Sequence, residues 1–147
     1  MWMDHRAKLE AAKINQIGHP VLQSVGGTIS VEMQTPKLLW LKKNKPEVWE
    51  RAADFFDLSD FLTWKATGSK VRSLCSTVCK WTYHGDGSGG GWNSSYFKSI
   101  GLEELVEEKF SRIGNEIIAP GNLVGYLLPG VIDQLKLGKK WGILNKI

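Results

Sequence analysis

The sequence predicts a helix-dominated chain with at most a few short strands, on three observations. Apolar residues recur at helical spacing over much of its 147 residues. The segment from Ser30 to Gly68 holds three successive helix starts, each with its own punctuation. The extended apolar runs, Phe55–Phe56 and Asn115–Ala119, are too short to build a large sheet. Helices are expected near 5–17, 36–44, 46–53, 59–67, 94–100 and 102–113.

The first segment, MWMDHRAKLEAAKIN, reads as a strand end turning into a helix. Ala7, Leu9, Ala11, Ala12 and Ile14 supply helix formers, and Gly18 with Pro20 stops the element. Asp4 sits where strand gives way to helix, the position at which α/β proteins gather ligand groups. It also suits an N-cap carboxylate, and the two roles are compatible. Val21–Ser30 is expected to be a loop bending at Gly26–Gly27. Thr35 then caps a helix whose first residue is Pro36, where a missing N–H costs nothing. Leu38, Leu39, Trp40 and Leu41 make that helix apolar almost all round, which assigns it to an interior. Asn44, Lys45 and Pro46 end it and start PEVWERAA. Ser59 caps DFLTWKAT, which stops at Gly68, a residue suited to a left-handed C-terminal position.

Ser69–Tyr83 mixes small polar residues with Val71, Leu74 and Val78, which suits an irregular segment along a crevice. Lys80, between Cys79 and Trp81, is expected to be partly enclosed. Either it snorkels, or it offers three donors to the hydroxyls of a polyol or ketose. HGDGSGGG (84–91) is glycine-rich but lacks the preceding apolar strand and following Lys-Ser/Thr of a phosphate loop, so it reads as a flexible connector. Trp92–Ile100 gives a short helix ended by Gly101. In LEELVEEKFSRI, residues Leu102, Leu105, Val106, Phe110 and Ile113 line one face, which predicts one amphipathic helix over 102–113.

Composition excludes several classes. The chain is 42% apolar and 23% charged, with a net charge of +4. Basic residues alternate with acidic ones and form no long run, which argues against nucleic acid. Trp40, Trp49 and Trp64 fall in apolar helical patterns, so core packing accounts for them better than base stacking. No run approaches the roughly 20 apolar residues of a membrane span. The charged start, with no apolar stretch after it, argues against a secretory signal, and a cytoplasmic protein is expected. Cys75 and Cys79 are expected as reduced thiols in or near a core. Zinc would need two further ligands, and His5, His19 and His84 are scattered.

The order of these words resembles the FGGY carbohydrate kinases. A lysine-bearing "PK-LLWL" helix, a "P-E-x-W" helix, an apolar pair and "D-F-L-x-x-x-x-T-G" are similar to the middle of that family's N-terminal domain. MWMDHRAKLEAAKIN resembles its ribulokinase-type "W-x-D-H-R" segment. Ser30, Glu32, Pro36 and Lys37 match its "S-x-E-x-x-x-P-K" word. Arg72–Tyr83 resembles the segment that carries a sugar-binding lysine. The closest likeness is to the D-ribulokinase-like branch, from Trp2 to about Leu137. It implies an α/β fold of the actin-like ATPase, ribonuclease H-like type, of which residues 1–147 are part of the N-terminal domain.

The resemblance also implies an activity, ATP-dependent phosphorylation of a pentulose or related polyol, with Mg2+. Asp4, His5 and Lys80 are then the sugar-binding residues. The family's N-terminal phosphate hairpin, its base aspartate in a D-A-H/G-x-G word and its C-terminal nucleotide domain have no counterpart in these residues. No catalytic, nucleotide-binding or metal-binding residue is therefore assigned. The implied partners are the sugar and the missing C-terminal kinase domain. A catalytically inactive form, acting only as a binding or interaction module, is the alternative.

Overall fold

The computed structural model describes residues 4–85 and 90–137. The strand end expected at Met1–Met3, the centre of the glycine-rich connector (86–89) and the tail 138–147 lie outside them. Helices dominate the described residues: α1 (Lys8–Ile17), α2 (Gln34–Asn44), α3 (Pro46–Arg51), α4 (Leu58–Thr67), α5 (Leu74–Trp81), α6 (Ser94–Ile100), α7 (Glu103–Glu107) and α8 (Pro129–Gln134). Two short strands, β1 (Arg72–Ser73) and β2 (Ile117–Ile118), pair in parallel, Arg72 opposite Ile117.

One core binds the layers. Ile14 of α1, Leu38 and Leu39 of α2, Trp49 of α3, Trp81 of α5, and Tyr96, Phe97 and Ile100 of α6 pack together with Leu102, Leu105 and Ile113. Trp92 sits at its aromatic centre, edge-on to Tyr83 at 4.9 Å and to Phe97 at 5.9 Å between ring centroids. Its indole N–H donates to the Gly114 carbonyl at 2.7 Å, so the half-buried ring packs on the core while its polar edge stays satisfied.

Four local expectations are corrected, and in the first three a distant partner claims a side chain. Thr35 does not cap α2; Met33 holds that position, and the fully buried Thr35 hydroxyl pairs with the Tyr96 hydroxyl at 2.9 Å. Nor does Ser59 cap α4. Asp57 occupies the cap position without capping, because its carboxylate accepts from the Trp81 indole and from the Gln34 amide. The single helix over 102–113 breaks at Lys109 and Phe110, both with positive φ, and resumes as a 3-10 turn at Ser111–Ile113. That break carries the Phe110 ring into the aromatic cluster, 5.4 Å from Phe97. Finally, 69–83 is not irregular, since Arg72–Ser73 pairs as a strand and 74–81 is helical. Ser73 caps α5 by accepting from the Ser76 N–H.

Two smaller differences concern exposure. Pro20–Val25 winds into a 3-10 helix within the expected loop. Trp49 is buried, whereas Trp40 and Trp64 are only half-buried, Trp64 stacking on Phe56 at 5.7 Å. Helix α2 thus has one face in the core and one at the surface.

The junction of β1, α4 and residues 113–114 depends on Arg72, which is 1% exposed. Its Nε donates to Asp60 at 2.8 Å, and its Nη1 to the carbonyls of Phe55 at 2.7 Å and Ile113 at 2.6 Å. Asp60 uses its other oxygen to accept from the Ser73 N–H at 3.2 Å. Removing the cation from a buried pair leaves uncompensated charge, which costs about 3–5 kcal/mol. Arg72→Met should lower the unfolding free energy by about that much in denaturant titration; a loss within noise would show the cluster to be solvated. Gly114 has φ +88°, and an added Cβ would lie 2.4 Å from the Arg72 Cγ. Gly114→Ala is therefore expected to destabilise by about 1–3 kcal/mol or more, read by the same titration.

Burial pushes the Tyr96 hydroxyl up to about 12 against its bond to Thr35. A folded-state value raised above the unfolded one gives stability that is complete below about pH 10 and is lost as pH rises through about 12. The loss should be on the order of 2–3 kcal/mol over that window. Tyr96→Phe should flatten this part of the stability-against-pH curve, and an unchanged curve would show that Tyr96 does not titrate with unfolding.

Candidate functional site

At the start of α1 the chain makes a tight carboxylate–guanidinium unit. Arg6 donates to Asp4 through Nε at 2.8 Å and Nη2 at 2.5 Å, and through its backbone N–H at 3.3 Å. The Asp-x-Arg spacing permits this, because a carboxylate reaches the N–H two residues on without leaving the turn. The Arg6 guanidinium lies 4.5 Å over the Trp40 ring. Asp4, Arg6, Ala7, Lys37, Leu38, Trp40 and Leu41 line a cavity of 220 Å³ between the start of α1 and one side of α2.

Asp4 does not cap α1: Ala7 holds that position, and no side chain caps it. The carboxylate is committed instead to Arg6, whose side-chain and backbone hydrogen bonds hold it well below the usual carboxylate range. An anion so stabilised is a good acceptor for hydroxyls and a poor base.

His5 is not among the residues lining that cavity. It is exposed, with Nε2 at 3.2 Å from a Glu32 carboxylate oxygen. Glu32 and Lys37 do not pair through their side chains, because the Lys37 ammonium donates to the Glu32 backbone carbonyl at 3.0 Å. Asp4 and His5, adjacent in sequence, are thus joined by Glu32 and Lys37 of the "S-x-E-x-x-x-P-K" word.

Lys80 lies in the last turn of α5, exposed, and is not among the residues lining the cavity. Its expected enclosure does not follow from its neighbours. Successive helical residues point about 100° apart, so buried Trp81 carries no cover to Lys80. Arg6 had been given no role from the sequence, Trp40 had been assigned only to core packing, and Arg72 had been given none. The signal for the first two was present, since Asp4 and Arg6 are two apart and Lys37 and Trp40 are neighbours at i, i+3.

Among the described residues no group of three or more His, Cys, Asp or Glu could hold a metal ion. The flanks of the glycine-rich run pair with each other, His84 and Gly91 exchanging hydrogen bonds of 3.1 and 2.8 Å, instead of joining a long strand to a helix. Also among them, no helix is long and apolar enough to cross a membrane.

Known proteins place this arrangement. Residues 1–118 match the model of the N-terminal domain of the FGGY family of carbohydrate kinases. The chain is 56% identical over 126 residues to an FGGY carbohydrate kinase domain-containing protein of Homo sapiens, covering 85% of this chain and 22% of that one. It is 46% identical over 120 residues to a D-ribulokinase of Saccharomyces cerevisiae, covering 80% and 17%. The chain therefore spans about a fifth of the length of these relatives. Among solved structures, a kinase from Brucella ovis described as a xyloylose kinase superposes with a TM-score of 0.73 at 18% identity, over 94% of this chain and 26% of that one. A gluconate kinase from Lactobacillus acidophilus gives 0.68 at 16%, over 92% and 26%. The fold is accordingly the helix-rich part of an actin-like sugar-kinase domain, and the chain belongs to the FGGY family of carbohydrate kinases.

Proposed function

We propose that residues 1–147 are part of the sugar-binding domain of an ATP-dependent kinase acting on a pentulose, ribulose-like, or a related polyol. The observation that carries this is the Asp4 carboxylate, held ionised by Arg6 beside the half-buried Trp40. A fixed anion accepting from hydroxyls next to an aromatic ring is chemistry suited to a sugar. Asp4 and His5 accept from or donate to sugar hydroxyls, and Lys80 donates to another.

In such a transfer Mg2+ and ATP supply the phosphoryl group and neutralise its developing charge. None of this chain's described residues is assigned to that task. The base that takes the hydroxyl proton is an aspartate outside these residues, and the nucleotide site belongs to the C-terminal domain. This chain holds and orients the acceptor, a role in which positioning governs the rate. The same proposal makes the protein cytoplasmic, in keeping with the free thiols of Cys75 and Cys79. The alternative reading is a catalytically inactive module that acts only by binding or interaction.

The test uses the chain completed by a C-terminal kinase domain. Lys80→Met keeps the apolar stem and removes the three donors. Losing a charge-assisted hydrogen bond costs about 1.5–3 kcal/mol, or roughly ten- to a hundred-fold in kcat/KM for the sugar. KM for ATP should stay the same. Asp4→Asn should act in the same direction, with its melting temperature measured beside its kinetics. Unchanged sugar kinetics in a folded Lys80→Met protein would return Lys80 to the role of a snorkelling surface lysine. Absence of phosphorylation of any pentulose, with sugar binding retained, would favour the inactive module.

A further inference from the structure

Helix α5 carries Cys75 and Cys79 one turn apart, both free and both exposed. Free cysteine is among the residue types most often buried, so two on one solvent face need a chemical reason. The opposite face of α5 provides the packing, with Thr77 and Trp81 buried. The expectation of thiols in or near the core is corrected accordingly.

Helix geometry decides which bond the pair can make. Residues at i, i+4 have Cβ atoms about 5–6 Å apart, whereas a disulfide requires about 3.5–4.5 Å. Closing a disulfide would mean unwinding α5, which is held at both ends. Ser73 caps its first turn, and Thr82 closes the last with its N–H donating to the Thr77 carbonyl. A single atom set between the two sulfurs spans the gap with the helix intact.

Coordination number narrows that atom. Structural zinc takes four ligands, and among the described residues no group of three or more His, Cys, Asp or Glu could hold a metal ion. Two thiolates without further donors select a soft ion that is content with two ligands, and thiolate softness points to monovalent copper. Such a complex carries one net negative charge, which an exposed helix face leaves solvated.

We propose that Cys75 and Cys79 form a two-thiolate site for a soft monovalent cation of the copper(I) class on the exposed face of α5. Each thiol releases its proton to solvent as its sulfur bonds the ion, so two protons leave and no electron is transferred. The site stands independently of any sugar contact by Lys80.

The test titrates the full 147-residue chain anaerobically with copper(I), buffered by a chromophoric copper(I) chelator. One ion per chain should be taken up, and both thiols should then resist a thiol-reactive dye. Cys75→Ser and Cys79→Ser are exposed, conservative changes, and unchanged circular dichroism would verify folding. Each should weaken the affinity about a hundred-fold or more, because the second sulfur no longer binds intramolecularly. Zinc at the same concentration should protect neither thiol. Single variants that bind as tightly as the parent chain would overturn the site. So would one ion per two chains, which places the bridge between molecules. Ready formation of an intrachain disulfide under mild oxidation would also sink it, by showing the sulfurs closer than an intact helix allows.

Discussion

A buried guanidinium organises the junction on which the two strands depend. Arg72 is the first residue of β1, and its side chain ties the segment before α4 to the turn after α7 through the carbonyls of Phe55 and Ile113. Its backbone N–H meanwhile donates to Glu116 at 2.9 Å, beside the start of β2. Desolvating a charge is costly, and the cost is tolerable only where the partners are charged or strongly polar. Asp60 at 2.8 Å and Asp57 at 3.5 Å supply the counter-charge. The rings of Phe56 and Trp81, about 5 Å from the guanidinium carbon, cover its faces. A lysine could not replace this fork, because the bonds diverge to separate segments in one plane. Gly114 completes the arrangement by leaving room where any Cβ would strike Arg72.

The same local competition shapes the candidate site. Asp4, at the point where the chain enters α1, is free to face the cavity because Arg6 binds it there and no helix N–H claims it. The ion pair lowers its proton affinity, and a carboxylate so held can accept from hydroxyls but is a poor base. Trp40, under the Arg6 guanidinium, gives the cavity an apolar wall.

Much of this protein is legible without coordinates. The C-terminal stop of α1 at Gly18, the boundaries of α6, the stop of α4 at Gly68, the Pro46 start of α3 and the strand-like step at 117–118 all follow from residues within one turn of the boundary. The φ preference of glycine and the missing proline N–H are local effects, so sequence determines them. Family membership was legible for a related reason: the spacing of "PK-LLWL", "P-E-x-W" and "D-F-L-x-x-x-x-T-G" records packing that many sequences share. What tertiary structure alone decided are the choices of polar and aromatic side chains that have more than one possible partner. Thr35 leaves a cap for Tyr96, Asp57 leaves one for Trp81, and Phe110 breaks a helix to reach Phe97. Lys80 and the two cysteines stand on the open face of a helix that the sequence had not predicted. Each outcome compares a local bond worth about 1 kcal/mol with burial of a polar group or ring worth more. That comparison needs the positions of residues tens of places away, which no local pattern contains.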